Sequence, residues 1–422
     1  MKPVNLKAPV RSSAKNNGSA RLLLINPFFE RLNAGQLPLN LAYLAAAVEK
    51  HAEVQLIDLN VSPNNVLEKK LIDFKPTHVG ITSYTPNNIE TKEILFKLHE
   101  QHPDIITISG GPQEVYRGEL TKLHHPWIDH VVTQRNAEQE LLRIICGQEI
   151  EMDWKMLFPA YHLLNMDDKS YRFDDALFKG KRMLTYMSGR GCNMSCNFCP
   201  SDNYVPLATG TVVEHLKRII DMGYNALFFN DLNFAGNPGR TLELMNAITR
   251  EQIEKSLEWG CQTTATSNLP DNLIWRMPEA GCTYTSFSIE NVSLDALKRL
   301  HKRISPEVVA QKCKVAKDAG MKIGLYAMFG VHPDEKIDFE WAKKTLDQIA
   351  KIMPDYISYS ILADYRGMTL NYETGRYGVE DVWKFFDEGS AFHPFCSVEH
   401  AQCLQGEILK RHNEDLKTIK RF

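Results

Sequence analysis

The chain has 422 residues, 43% of them hydrophobic and 24% charged, and its 49 Lys and Arg against 52 Asp and Glu leave a net charge of -3. That length exceeds one ordinary core and calls for about two or three domains, while the near balance of charge removes any global attraction to nucleic acid or to an anionic membrane. No stretch approaches the roughly 20 uninterrupted apolar residues of a spanning helix, so the pattern is that of a soluble protein.

Residues 1–20 carry Lys2, Lys7, Arg11 and Lys15 among Ser, Asn and Gly without an apolar run. They read as a flexible, solvated tail with no secretory signal, which places the chain in the cytoplasm. Over 21–148, β-branched runs at 21–26, 54–59, 78–83, 105–109 and 130–133 alternate with helical stretches at 39–50, 64–74, 88–102, 113–124 and 138–146. The alternation predicts an α/β unit with a five-stranded parallel sheet, Rossmann-like or flavodoxin-like, that binds ligands beyond the carboxyl ends of its strands. Residues 149–181 lose the periodicity and read as a linker. A second series fills 182–371, with strands at 182–187, 226–230, 262–266, 283–290, 322–329 and 355–361. The helices between them are expected at 212–222, 240–256, 271–280, 293–299 with 306–319, and 338–352. Six strands with intervening helices predict a partial (β/α)6 barrel of the TIM type, with its chemistry on the loops at the C-terminal strand ends. Residues 372–422, aromatic-rich and then helical over 398–417, read as a C-terminal cap.

Nine cysteines, an odd number, together with the cytoplasmic setting weigh against a disulfide framework. Three of them, Cys192, Cys196 and Cys199, stand four and then three residues apart between Gly191 and Pro200, directly after the first barrel strand. Thiolates at that spacing converge on a soft metal centre, and three of them leave a cubane cluster one ligand short. Structural zinc wants four ligands, and no fourth Cys or His is paired nearby. Cys396 and Cys403, about two helical turns apart, read as small buried hydrophobes.

Cys192-x-x-x-Cys196-x-Phe198-Cys199 resembles the motif of the radical S-adenosylmethionine (SAM) superfamily. The resemblance implies a [4Fe-4S] cluster ligated by Cys192, Cys196 and Cys199, with SAM on the open iron as the source of a 5′-deoxyadenosyl radical that takes hydrogen from the substrate. Flanking segments are similar to the branch with an N-terminal cobalamin-type domain. Ser188-Gly189-Arg190-Gly191-Cys192 resembles its Ser-Arg-Gly-Cys stretch with one glycine added, and Phe229-Asn230-Asp231-Leu232-Asn233-Phe234 resembles Phe-x-Asp-Asp-x-Phe. Residues 288–291 resemble Gly-x-Glu-Ser, 328–335 a Met-x-Gly-x-Pro-x-Glu turn, and 365–369 a Pro-Gly-Thr stretch. On this resemblance Asp231 lies near the methionine end of SAM, Glu290 contacts its ribose or amino group, and Gly330 admits backbone to the adenine. Thr266-Ser267-Asn268, at the expected end of the third strand, adds hydrogen-bonding groups, Ser267 among the SAM contacts.

In the first domain, Asn26-Pro27, residues 37–45 and Gly110-Gly111-Pro112 resemble a cobalamin-binding domain. The resemblance implies cobalamin contacts at Asn26, Ser83, Tyr84, Gly110, Gly111 and Gln134, the glycine pair letting backbone approach a bulky ligand. The chain departs from the pattern twice. No Asp-x-His-x-x-Gly offers a lower cobalt ligand, and Gln134-Arg135-Asn136-Ala137-Glu138 replaces the usual Gly-Glu-x-Glu. The implied function is that of a radical SAM enzyme, a cobalamin-dependent methyltransferase acting on an unactivated carbon. Alternatives are a non-methylating radical cyclisation, rearrangement or oxidation with a degenerate first domain, and a non-catalytic metal-binding scaffold. The expected partners are a small-molecule or peptide substrate and an electron donor such as flavodoxin or ferredoxin, with no nucleic acid and no membrane.

Overall fold

The computed structural model describes residues 19–28, 37–62, 65–164, 171, 177–199, 201, 203–363, 393 and 395–421. These residues fall into two compact units, each built on its own parallel sheet.

The first unit alternates β1 (Ala20–Asn26), α1 (Leu39–Val48), β2 (Ala52–Asp58), α2 (Val66–Phe74), β3 (His78–Thr82), α3 (Asn88–Gln101), β4 (Ile106–Gly110), α4 (Pro112–His124), β5 (His130–Val131) and α5 (Ala137–Cys146). Its strands stand in the order β2-β1-β3-β4-β5, all parallel. Continuous apolar strands such as Leu22-Leu23-Leu24-Ile25 are buried on both faces, as a helix-covered parallel sheet requires. On one face Leu23, Ile25, Ile57 and Val79 pack with Phe74 of α2 and Leu95 of α3. The alanines of α1, Ala42, Ala45, Ala46 and Ala47, are buried, and α1 packs closely on α5. Winding reverses between β1 and β3, so the carboxyl ends of those two strands flank the crevice where such sheets take ligands. The fifth strand is two residues long instead of the expected four, although Val132 N still donates to Ser109 O at 2.8 Å. Part of the expected linker is packed: Ala160 and Tyr161 are buried, and Ala160 N donates to Ala42 O at 3.0 Å.

The second unit begins with β6 (Met183–Tyr186) and a two-stranded antiparallel ribbon, β7 (Gly189–Arg190) with β8 (Val205–Pro206). It continues through α6 (Thr209–Asp221), β9 (Ala226–Phe229), α7 (Pro238–Arg250), β10 (Glu258–Thr263), α8 (Asp271–Glu279), β11 (Cys282–Glu290), α9 (Leu294–Arg299), α10 (Pro306–Asp318), β12 (Lys322–Phe329), α11 (Glu335–Ile352) and β13 (Tyr356–Ile361). A C-terminal helix, Val398–Asp415, precedes a last strand, β14 (Lys420–Arg421). Strand order follows the chain, β6-β9-β10-β11-β12-β13-β14, all parallel, which curls the sheet into an open half-barrel. Phe228 lies tilted against Tyr284, which meets Tyr356 edge-on, while Phe229 meets Trp259 edge-on and Phe234 lies tilted against it.

Two expectations need correction. The third barrel strand is Glu258–Thr263, not 262–266. Helix α7 stops at Arg250, and a left-handed Gln252 with a short 3-10 turn, Ile253–Lys255, lets the strand start early. The strand is fixed there by Trp259, whose indole donates to Ala280 O at 2.6 Å, and by Gly260, which lies close against Tyr284. The sheet also has a seventh strand: β14 pairs with β13 through Tyr356 and Ile357. Residues 365–369 and 372–392 lie outside the described residues.

Candidate active site

The cysteine loop leaves β6 through Ser188, which is fully buried. Asp231, just past β9, accepts from Ser188 N at 2.7 Å and from Ser188 Oγ at 2.8 Å. Arg240 of α7 donates to Ser188 Oγ at 2.9 Å and to its carbonyl at 2.7 Å. The loop's neck is then closed by the β7–β8 ribbon, where Gly189 faces Pro206 and Arg190 faces Val205. A Cβ at Gly189 would lie 2.9 Å from the Tyr204 ring and 3.1 Å from Pro206 Cα, so the extra glycine is the one residue that lets the ribbon close. Gly191, at φ 77°, turns the chain into the cysteine segment.

Both flanks of that segment are pinned. Asn233 donates to Asn193 Oδ1 at 2.8 Å and accepts from Thr263 Oγ1 and Thr264 N, each at 2.9 Å, linking the loop to the ends of β9 and β10. Asn197 donates through Nδ2 to Arg299 O at 2.7 Å and through its backbone N to Leu300 O at 3.3 Å. Phe198 packs against Ala296, Leu300, Val331, Leu362 and Phe395. Cys192 and Cys199 are half-buried, and Cys196 is buried. Burial pushes the Cys196 thiol up to about 11, with Lys302 opposing the rise and Glu290, Cys199 and Cys192 adding to it. The three thiols therefore lie within electrostatic reach of one another. Among the described residues no trio of Cys, His, Asp or Glu converges tightly enough for a single metal ion. A cubane spreads its thiolates over different irons and tolerates wider sulfur spacing, whereas tetrahedral zinc does not.

The other residues singled out by sequence separate into distinct roles. Asp231 is buried, and each of its oxygens accepts from Ser188, so it shapes the loop. Glu290 ends β11 in a left-handed conformation, φ 51°, and is paired with Lys302 at 2.9 Å with both side chains buried. Gly330, at φ 74°, sits where a Cβ would approach Ile361 Cγ2 to 2.9 Å, and the next backbone N, that of Val331, donates to Asp338 Oδ1 at 3.1 Å. Asp338 is in turn held by His400 Nε2 of the C-terminal helix at 3.0 Å. Ser267 is exposed on the loop beyond β10, because the strand ends at Thr263. Cys396 is buried and Cys403 exposed, so they present no common site. Lys302, Arg240, Asp338 and His400 were not among the residues expected from sequence. None carries a motif, and only the fold brings Arg240 to Ser188, Lys302 to Glu290, and Asp338 with His400 to the turn after Gly330.

At the carboxyl edge of the first sheet, Asn26, Ser83, Tyr84, Gly110, Gly111 and Gln134 all lie at or just past strand ends. Several serve the edge itself. Asn26 Nδ2 donates to Asp58 Oδ1 at 3.0 Å, and Ser83, fully buried, donates through Oγ to Asn88 Oδ1 at 3.1 Å. Gly111 has φ 102°, and a Cβ there would lie 2.8 Å from Ser83 O and Thr82 Oγ1. Its glycine is thus required by strand-to-helix packing. Tyr84 is half-buried and its phenol is raised by burial, Gln134 is exposed, and Arg135 lies over the Tyr116 ring at 5.5 Å. Gln113, almost fully buried after the glycine pair, accepts from Thr85 Oγ1 at 3.0 Å while its Nε2 has no partner among the described residues.

Comparison with known proteins completes the picture. Residues 35–142 match the B12 binding domain family, and residues 186–346 match the radical SAM superfamily. This chain is a radical SAM protein with a B12 binding domain. The anaerobic magnesium-protoporphyrin IX monomethyl ester cyclase of Rubrivivax gelatinosus is 21% identical over 383 residues, 80% of this chain and 66% of that protein's length. The radical SAM methyltransferase TsrM from Kitasatospora setae superposes with a TM-score of 0.65 at 14% identity, covering 85% of this chain and 77% of that one. The cobalamin-dependent SAM radical enzyme OxsB superposes with a TM-score of 0.63 at 16% identity, covering 94% of this chain and 61% of that one. The shared fold is a parallel sheet followed by a parallel half-barrel.

A radical SAM domain implies a [4Fe-4S] cluster and SAM, and a B12 binding domain implies cobalamin. The residues present suit these groups. Three thiols on one pinned loop match a cubane with an open iron, and the unpartnered Gln113 amide at the switch-point edge is a donor of the kind that an amide-fringed corrin accepts from. Among the described residues of the radical SAM protein no helix is long and apolar enough to cross a membrane.

The Asp231 strut gives the radical SAM protein a pH signature. Burial raises its carboxyl to about 6 against the Ser188 hydrogen bonds and the Arg240 charge. A folded-state value above the unfolded one means that the fold binds this proton more tightly. The contribution is full below about pH 4 and is lost as pH rises through about 6. Two pKa units correspond to about 3 kcal/mol. Asp231→Asn keeps an acceptor for Ser188 N and has no such slope, so it should gain on the wild type by about that amount between roughly pH 4 and pH 7. Urea unfolding of both proteins across this range is the check, and parallel stability curves would refute an ionised, buried Asp231.

Proposed function

We propose that this chain is a cobalamin-dependent methyltransferase that replaces a hydrogen on an unactivated carbon by a methyl group. One observation carries the reading: a B12 binding domain and a radical SAM domain lie in a single chain, in that order. When bound, the cofactors supply a 5′-deoxyadenosyl radical and a transferable methyl group. The chain's own residues bind, align and shield. Cys192, Cys196 and Cys199 hold the cluster, and Asp231 with Arg240 fixes Ser188 so that the loop emerges in one orientation. Asn197 and Phe198 seat Cys196 below the surface, which keeps water from its sulfur. Glu290 and the Gly330 turn flank the loop from β11 and β12 and are the proposed SAM contacts, while Tyr84, Gln134 and Gln113 are the proposed cobalamin contacts. The substrate is a small molecule or peptide, the electron donor a flavodoxin or ferredoxin. The cytoplasm suits a chain whose nine cysteines form no disulfide among the described residues.

The names of the structural neighbours, a radical SAM methyltransferase and a cobalamin-dependent SAM radical enzyme, favour methyl transfer. The cyclase relative favours a second reading, ring formation without a gain of methyl. Anaerobically reconstituted protein incubated with hydroxocobalamin and then desalted separates them first: a retained corrin absorption band supports methyl transfer, and its complete loss removes that reading. Turnover decides next. Release of both 5′-deoxyadenosine and S-adenosylhomocysteine, with a product heavier by one methyl group, is the expected result. Deoxyadenosine alone leaves the cyclase-like chemistry.

A further inference from the structure

The pair formed by Lys302 and Glu290 is placed with unusual care. Lys302 follows α9 directly, two residues beyond Leu300, whose carbonyl receives Asn197 N from inside the cysteine motif. Its own N donates to Leu297 O at 2.9 Å, so the helix end that anchors the loop also fixes this lysine. Its ammonium meets Glu290 Oε1 at 2.9 Å, with each side chain only 7% exposed. The backbone on both sides is held in the left-handed region without glycine, Glu290 at φ 51° and His301, the neighbour of Lys302, at φ 50°. Such conformations are costly and persist where the surrounding structure demands them. A buried ion pair is weak support for stability by itself, because an apolar pair of similar volume is often as stable. Here the pair has an outside neighbour. Asn197, between Cys196 and Phe198 in the cysteine loop, donates to Arg299 O at 2.7 Å and to Leu300 O at 3.3 Å, so the stretch that leads into Lys302 lies directly against the motif.

We propose that Lys302 is a positioning residue for the iron-sulfur centre: a buried ammonium, steered by Glu290, that offsets the thiolate charge at Cys192 and Cys196 and thereby eases uptake of an electron. The proposal rests on the cysteine loop holding a [4Fe-4S] cluster. One electron from an external reductant takes that cluster from its 2+ to its 1+ state, adding negative charge to a site already carrying three thiolates. A buried cation beside the loop, in a low-dielectric setting, stabilises the reduced form more than the oxidised one. Removing the cation leaves the thiolates and Glu290 unopposed.

The test is a dithionite-coupled potentiometric titration of anaerobically reconstituted full-length protein, without SAM, followed by electron paramagnetic resonance. Lys302→Met is expected to titrate at a lower midpoint potential than the wild type, and Lys302→Arg, which keeps the charge, to return close to it. A Met variant at the wild-type potential overturns the proposal, as does an Arg variant displaced as far as the Met variant. If the Met variant does not retain iron, Glu290→Gln takes its place: it leaves the lysine's charge unopposed and is expected to raise the potential, and an unchanged or lowered value overturns the proposal. Wild-type protein that takes up no iron would instead defeat the cluster reading on which the proposal stands. Leaving SAM out of the cell keeps any effect on nucleotide binding from entering the result.

Discussion

Replacing Cys192, Cys196 or Cys199 singly by Ala should reduce iron from about four per reconstituted chain to less than one and abolish formation of 5′-deoxyadenosine. Three ligands already leave one iron open, and two cannot retain a cubane against solvent and chelators. The chain itself should stay folded, because the loop is secured by groups other than sulfur: Ser188 on Asp231 and Arg240, Asn193 on Asn233, and Asn197 on Arg299 and Leu300. Cys196→Ala should cost little stability, since an unligated buried thiol is only a small hydrophobe there. Iron and sulfide analysis alongside urea unfolding checks both halves. A variant that keeps a full complement of iron would remove its cysteine from the ligand set, and unfolding of all three would show that the metal organises the loop.

Gly111→Ala should destabilise the first unit by roughly 2–6 kcal/mol, joining a backbone strain of about 1–3 kcal/mol to an overpacking cost of about 1–3 kcal/mol. At φ 102° and ψ -178° the residue occupies a region reserved in practice for glycine. The atoms a methyl would strike, Ser83 O and N and Thr82 Oγ1, cannot swing away: Ser83 N donates to Gly110 O at 2.7 Å and Gln113 N to Ser83 O at 3.0 Å. Gly110→Ala is the control. Its Cβ would meet Val132 Cβ at 3.6 Å, an ordinary contact, so a change within about 1 kcal/mol is expected. Corrin retention should fall in the first variant and not in the second. Equal stability of the two alanine variants would mean that the strand-to-helix corner is softer than its hydrogen bonds imply.

Periodicity was enough to locate most of the architecture, because parallel strands buried on both faces read as unbroken apolar runs such as Leu22–Ile25, and helices as amphipathic stretches between them. It failed at β10, where Glu258, Trp259 and Gly260 do not look like a strand until Trp259 is seen to be held by Ala280 and Gly260 by the Tyr284 ring. It also missed β14, a two-residue strand that exists only because β13 offers an edge. The three cysteines were legible because a metal site imposes local spacing. Lys302 was not, since a buried lysine leaves no trace in sequence and its proximity to Cys196 depends on where α9 ends. Asp231 was visible as a strand-end acid, but sequence could not say that Ser188, 43 positions earlier, would take up both of its oxygens.

The β7–β8 ribbon bears on how the metal enters. The ends of the segment 191–204 are joined by the backbone pairing of β7 with β8 and not by sulfur, so the entropy of bringing those ends together is met by the polypeptide. In a zinc finger, metal binding and folding are one event. Here the metal inherits a nearly finished site, and the free energy of coordination goes into the cluster instead of into ordering chain. With its ends paired in this way, the frame of the loop is expected to outlast loss of the inorganic part, so that fresh iron and sulfide can restore the site.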